Sequence, residues 1–444
     1  MINFIAVTPH PPIIVPGVGK GESLKAVENT IESMQKLEKL MLEAKPKTLL
    51  LISPHAYTDA RSFAINVSET LQGDLGKFAS EVSLNFKNNI PFIEKLQTRC
   101  TQHNVPLVFY KGELDHGSIV PLYFLTKNFP IRLVQLSFST RSYYEHLEYG
   151  RIIREICEEE GEDIAIVASG DLSHKISKDS HLGYSPKGKE FDEKLVELLE
   201  KGKIHEILEM DKELIKEAGE CGFRSIAILL GIVQNNLKKF HILNYEAPFG
   251  VGYLVSHVEL GETKKEDPNL AGACLDLAKK TVEEFINKNA KLQVPKNLPE
   301  DCYLQRKGVF VTLHKEGQLR GCIGTFLPTS PNIAQEIVNN AISACSRDFR
   351  FSPVSSEELQ LLKYDVSLLD APQSVKDIKE LDPKKHGIIV SSSDGRRGLL
   401  LPNLEGIDTV EQQISIASQK GGIDLRKDSI SLQSFTVVKF SDTP

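Results

Sequence analysis

The 444-residue sequence is poor in the features that fix a class at sight. It opens Met1-Ile-Asn-Phe-Ile-Ala-Val-Thr-Pro-His10, with no basic segment ahead of a long apolar one. No apolar run reaches the ~20 residues that span a bilayer, so neither secretion nor membrane insertion is expected. Cysteine is sparse: seven residues, an odd number, lie far apart. That spacing argues against a disulfide framework and for a reducing, cytoplasmic setting. Positive charge is not in excess, with 53 Lys and Arg against 60 Asp and Glu and a formal charge of −7. The basic residues form no stripe, so nucleic acid is not expected as a partner. Internal repeats and low-complexity tracts are absent, which excludes solenoid and fibrous architectures. Tryptophan is absent too, and nothing follows from that.

What is present is a globular composition, 41% hydrophobic and 25% charged. At roughly 150 residues per domain, the length predicts two or three domains. Apolar runs at 2–8, 48–53, 106–110, 131–137 and 164–169 read as buried strands. Between and after them, helical periodicity covers 22–44, 143–160, 190–199 and 223–233. Strands at 240–246 and 252–260 close the unit. Strands that alternate with helices and are apolar throughout predict an α/β fold, a mostly parallel sheet flanked by helices, over residues 1–262. A short charged stretch, 263–269, reads as a linker. Residues 270–444 start with a helix at 270–289. They continue with a strand pair, 309–314 and 319–325, across a Gly317 turn, and a helix at 333–346. Strands at 364–369, 387–391, 398–401 and 431–440 follow without regular alternation, so this smaller half is predicted α+β.

His10, His55 and His174 each follow the end of a predicted strand, and open α/β sheets place ligands in that crevice. Neutral imidazole is the commonest metal ligand, and a carboxylate adds the charge that holds a divalent ion. Two histidines with one carboxylate leave open positions on Fe(II) for oxygen and a substrate. The first half supplies these four histidines (His116 is the fourth) and the carboxylates Asp171, Glu220 and Glu246. His103, His146, His181, His205, His241 and His257 read as surface or packing residues.

The local sequences are TPHPP at His10, SPH at His55, LDHGSIVPL at His116 and SGDLSH at His174. Together they resemble the LigB-like class III extradiol ring-cleavage dioxygenases, over about the first 260 residues. The resemblance implies a non-haem Fe(II) held by His10, His55 and a later Glu, with His174 as the general acid/base. It also implies that His116 contacts the substrate or supports the ligands, and that Asp171 orients its loop. For the third ligand, the segment Gly219-Glu220-Cys221-Gly222-Phe223-Arg224 offers Glu220 first and Cys221 as a rival. Its CGxR pattern resembles the Memo family, a relative with a Cys near its metal. Glu246, in YEAPFGVGY, is a third choice. A thiolate ligand would shift the expected metal from iron to Zn or Cu.

In the second half, Gly317-Gln-Leu-Arg320-Gly321-Cys322-Ile323-Gly324 stands out, with Asp348-Phe-Arg350-Phe351-Ser-Pro353 and Gln419-Lys-Gly-Gly422. These segments resemble the AMMECR family over about residues 270–440. The pairing of the two halves resembles the AmmeMemoRadiSam group, which implies a radical SAM protein as a partner. Arg320 and Cys322 lie two apart on a predicted strand, hence on one face. A guanidinium beside the thiol would lower its pKa and make it a nucleophile, whereas the plain alternative is a small packed cysteine. The expected activity is metal-dependent oxidation or ring cleavage of a small aromatic, peptide or nucleotide substrate. The alternative is a metal- and peptide-binding scaffold without turnover.

Overall fold

The computed structural model describes residues 1–442 apart from 128, 266 and 376. The chain forms two compact units, Met1–Lys265 and Glu266–Pro444. The 263–269 stretch read as a linker straddles their boundary.

The strands of the first unit are β1 (Ile2–Thr8), β2 (Thr48–Ile52), β3 (Phe63–Asn66), β4 (Thr70–Asp74), β5 (Ser83–Lys87), β6 (Leu107–Tyr110), β7 (Arg132–Ser137), β8 (Ile164–Ser169), β9 (Leu237–Glu246) and β10 (Tyr253–Leu260). Its helices are α1 (Glu22–Lys25), α2 (Glu28–Ala44), α3 (Ile90–Gln102), α4 (His116–Leu125), α5 (Tyr143–Glu159), α6 (Pro186–Glu200), α7 (Ile204–Leu208), α8 (Lys212–Ala218) and α9 (Phe223–Val233). Eight strands make one sheet in the order β6-β3-β7-β2-β8-β1-β10-β9. The central four, β7-β2-β8-β1, are mutually parallel. Every residue of β2 and β8 is buried, as are the last five of β1. Burial on both faces is why these strands read as unbroken apolar runs rather than alternating ones. The flanks depart from the parallel rule: β3 runs against β7, β10 against β1, and β9 against β10.

Two local features differ from the sequence reading. The helix expected over 22–44 breaks at Val27, which is fully buried and leaves helical geometry at φ −117°, ψ 17°. A separate hairpin, β4 with β5, also appears. Its first strand alternates exposed and buried residues and so has only one face on the core.

The second unit contains α10 (Leu270–Lys288), α11 (Glu300–Leu304), β11 (Gly308–Lys315), β12 (Gln318–Thr325), α12 (Ile333–Ser346), β13 (Leu362–Leu369), β14 (Gln373–Ser374), β15 (His386–Ser392), β16 (Arg397–Leu400), α13 (Val410–Lys420) and β17 (Ile430–Ser441). Its sheet is antiparallel, in the order β12-β11-β13-β17-β15-β16 with β14 on β17. The β11–β12 hairpin closes on Glu316 and Gly317, at φ 53° and 78°. Two successive left-handed residues match the twist of the flanking strands, which is why a glycine is wanted there. Among the described residues no helix is long and apolar enough to cross a membrane.

Candidate metal centre

Because β1, β8 and β2 are adjacent and parallel, their carboxyl ends open in a row about 5 Å apart. His10 follows β1, Asp171 and His174 follow β8, and His55 follows β2. His116 reaches the same place by another route. The strand before it, β6, is parallel to β3 and therefore runs against the central four. His116 is instead the first residue of α4, whose N-cap is Asp115. One carboxylate oxygen of Asp115 accepts from Ser118 N–H at 3.1 Å and Ser53 Oγ at 2.6 Å. The other accepts from Gln135 Nε2 at 2.8 Å. Asp115 thus ties the start of α4 to the end of β2, and so His116 to the loop of His55. Gly117 fits this corner because a Cβ there would lie 2.8 Å from both Asp115 Oδ1 and Ser53 Oγ.

One nitrogen each of His10, His55 and His116 lies within 4.8 Å of the others. The His55 and His116 rings stack with centroids 4.4 Å apart, and His10 meets them edge-on. Hydrogen bonding fixes the tautomer of His10. Ser169 Oγ donates to Gly117 O at 2.6 Å, so it accepts from His10 Nδ1–H at 2.9 Å. His10 Nε2 is therefore bare, and it faces His55 Nε2 at 3.0 Å. Either His55 donates to that lone pair, or the two nitrogens share a cation. Burial lowers the pKa of His10 well below 6.5, and charge on His55 or His116 would lower it further. Burial lowers His55 and His116 as well. All three rings are thus neutral near pH 7, the form that binds metal.

Beside this cluster, buried Asp171 accepts His10 N–H at 2.9 Å on Oδ1. Its Oδ2 lies 3.8 Å from His10 Nε2 and 3.9 Å from His174 Nε2. Burial raises the Asp171 carboxyl above its usual range. His174 Nδ1–H donates to Gly219 O at 2.6 Å, so the neutral ring carries its lone pair on Nε2. Burial lowers the His174 pKa, and Asp171 opposes that.

The carboxylates expected as third ligand are elsewhere. Glu220 is not in the cluster; its Oε2 accepts Phe223 N–H at 2.6 Å at the start of α9, and burial pushes its carboxyl up to about 7. Glu246 accepts Thr30 N–H at 3.0 Å and Asn29 Nδ2 at 3.1 Å near the start of α2. Cys221 does approach, with Sγ 3.6 Å from His10 Nε2. Gly170 and Gly222 permit this: a Cβ on Gly170 would sit 2.1 Å from Gly222 Cα. Their contact lets Cys221 N–H and Gly222 N–H reach Asp171 O. Burial raises the Cys221 thiol well above its usual range.

Ser169 and Asp115 lie within the SGDLSH and LDHGSIVPL segments, but their supporting roles toward His10 and His116 emerge only in the fold. His181, read as a surface or packing residue, is exposed, with its ring 5.2 Å from that of His174. In the second unit, the Arg320 guanidinium is committed to Glu358 and to the Ser352 and Pro353 carbonyls, which leaves the packed-cysteine reading of Cys322 the simpler one. The Cys322 sulfur accepts from Thr312 Oγ1 at 3.1 Å, and Arg350 donates to the Cys322 carbonyl.

Comparison with known proteins matches residues 4–256 to the family described as the catalytic LigB subunit of aromatic ring-opening dioxygenase. Residues 275–440 match AMMECR1. A Clostridium acetobutylicum protein is 35% identical over 473 residues, covering 100% of both chains. A Thermotoga maritima protein is 48% identical over 162 residues, 36% of this chain and 92% of its own. Among solved structures, an uncharacterized Pyrococcus horikoshii protein is 27% identical with a TM-score of 0.37, over 40% of this chain and 93% of its own. The chain therefore belongs to the LigB family of aromatic ring-opening dioxygenase subunits, with an AMMECR1 domain joined after it.

Proposed function

We propose that the first unit is a metal-dependent oxygenase acting on a small aromatic diol. The reading rests on one observation: three neutral imidazoles, His10, His55 and His116, converge with two of their Nε2 atoms 3.0 Å apart. This donor set fits a divalent ion, and these three residues would hold it. Bound there, iron(II) would supply the Lewis acidity and a conduit for the diol's own electrons to reach oxygen. His174 Nε2, bare in the neutral ring, takes a proton from a diol hydroxyl as the general base. Asp171 Oδ2, 3.9 Å away, stabilises the imidazolium so formed. His55 keeps part of its surface in solvent, and Phe78 lies with its ring 5.5 Å from that of His116, so a flat substrate meets an aromatic wall at the mouth.

The test is metal analysis of the purified protein, followed by anaerobic Fe(II) loading and oxygen uptake with catechols. Uptake that disappears in His174→Gln while iron content stays the same is the expected result. Stoichiometric iron without uptake on any diol would overturn the reading.

The proximity of Cys221 to His10 supports a second reading: a Zn or Cu centre that binds a peptide without turnover, working with a radical SAM protein. Cys221→Ser separates the two. The oxygenase reading expects iron binding and uptake to persist, because the buried thiol is protonated until a metal displaces its proton. The binding reading expects metal to be lost.

A further inference from the structure

The parallel strands have a second end. Lys47 precedes β2, Arg132 opens β7 and Glu162 stands two residues before β8, so these three mark the amino ends of the row. The metal cluster lies at the carboxyl ends, the length of β2 away, about 15 Å. Helix α4 spans a similar distance. Its first residue is His116, while Tyr123 in its last turn and Thr126 and Lys127 just beyond it reach the amino ends.

There a cavity of about 900 Å³ opens between β5, the end of α4 and the start of β7. Pockets that hold small molecules run from about 300 to 1,000 Å³. Its walls are apolar: Val82 and Leu84 come from the β4–β5 hairpin, Tyr123 from α4, and Phe129 from the stretch before β7. All four are partly buried, packed on the core of the first unit with some surface still uncovered.

The rim is cationic. Lys47, Lys87, Lys127 and Arg132 line it, against Glu81 and Glu162. Glu162 is already satisfied: Arg132 pairs with it, Thr48 Oγ1 donates to it at 2.7 Å and Asn89 Nδ2 at 3.3 Å. That leaves three ammonium groups against the one carboxylate of Glu81. Among the described residues none of the three makes an ion pair, and Lys127 Nζ rests over the Tyr123 ring at 4.4 Å from its centre. This surplus of positive charge stands on a chain of formal charge −7. Charges of one sign around an apolar hollow raise the local concentration of the opposite ion.

We propose that this cavity binds a small amphipathic acid. Its aliphatic or aromatic body lies against Val82, Leu84, Tyr123 and Phe129, and its single carboxylate or phosphate sits among Lys47, Lys87 and Lys127. The body is held by leaving water, and the head by charge-assisted hydrogen bonds. A polar body would leave the walls unmatched, and the rim repels a cation. The site is separate from the metal cleft and stands independently of the oxygenase reading.

Calorimetry on the full-length chain tests this, metal-free and zinc-loaded. The probes are octanoate, octyl phosphate, 1-octanol and acetate. One acid per chain is expected to bind, at least about tenfold more tightly than octanol or acetate. Zinc is expected to leave that affinity unchanged. The tighter of octanoate and octyl phosphate tells a carboxylate site from a phosphate site. Lys87→Gln combined with Lys127→Gln is expected to weaken the acid about fivefold or more and to leave octanol unchanged. Both lysines are exposed, so the melting temperature is expected to stay that of the wild type. The proposal is overturned if neither acid binds, if acetate binds as tightly as octanoate, or if the double variant keeps full affinity. It also falls if zinc creates or abolishes the binding, since the acid would then occupy the metal cleft.

Discussion

Ser169 shows how much a single hydroxyl decides. By donating to Gly117 O it must accept from His10, and so it leaves His10 Nε2 free for a metal. Ser169→Ala removes that constraint without adding bulk. Metal titration is expected to show roughly ten- to hundredfold weaker binding, the usual effect of losing a ligand's supporting hydrogen bond. Asp192 gives a pH signature. It is fully buried, accepts Ser173 N–H and Tyr245 OH, and burial raises its carboxyl from 3.8 to about 7. Below the lower value it is neutral both folded and unfolded. Between the two, only the unfolded chain ionises, so stability falls as pH rises from about 4 to about 7, by at most about 1.4 kcal/mol per pH unit. Asp192→Asn keeps both contacts and is expected to flatten the melting-temperature profile across that window; an unchanged slope would refute this. His10, His55 and His174 were legible because each sits in a short local motif after an apolar strand. Ser169 and Asp115 stand in two motif segments, but their roles were not legible, because their partners lie 52 and 62 residues away in sequence. Glu220 could be read two ways for a physical reason: an acid at a helix start is equally a cap and a ligand, and here it accepts Phe223 N–H.

At the scale of elements, α4 carries the clearest consequence. Asp115 caps its first turn and, through Ser53, joins it to the end of β2. Asp115→Ala is expected to cost about 1–2 kcal/mol in a denaturant melt. Stoichiometric metal binding should go with it, because His116 is then no longer held against His55. The contact between the loop after β8 and the start of α9 is tighter still. Gly170→Ala would push a methyl to 2.1 Å from Gly222 Cα, backbone that cannot swing aside. The expected result is a loss of about 2–4 kcal/mol, with displacement of both Asp171 and Cys221. Neither glycine announces this role in the sequence, since a close approach between segments leaves no local pattern. The central strands were readable because burial on both faces leaves only one kind of residue. The break at Val27 was not, since its apolar stripe runs straight through from α1 into α2.

For the whole molecule, each unit has its own buried core: one around Phe4, Leu49, Leu133 and Val167, the other around Leu277, Val311, Ile337 and Val366. Residues 1–265, produced alone, are therefore expected to unfold cooperatively and bind metal with the same stoichiometry as the full chain. A molten or metal-free product would show that the second unit is needed to complete the first. The sheet order carries a further consequence, for biosynthesis. His10 and His55 are both made early, but β1 and β2 are not neighbours; β8, made far later, lies between them. A nascent chain on the ribosome thus has no paired imidazoles to capture stray cations. On the metal-dependent reading proposed above, loading would have to await the synthesis of β8, which seats His10 and His55 on one sheet.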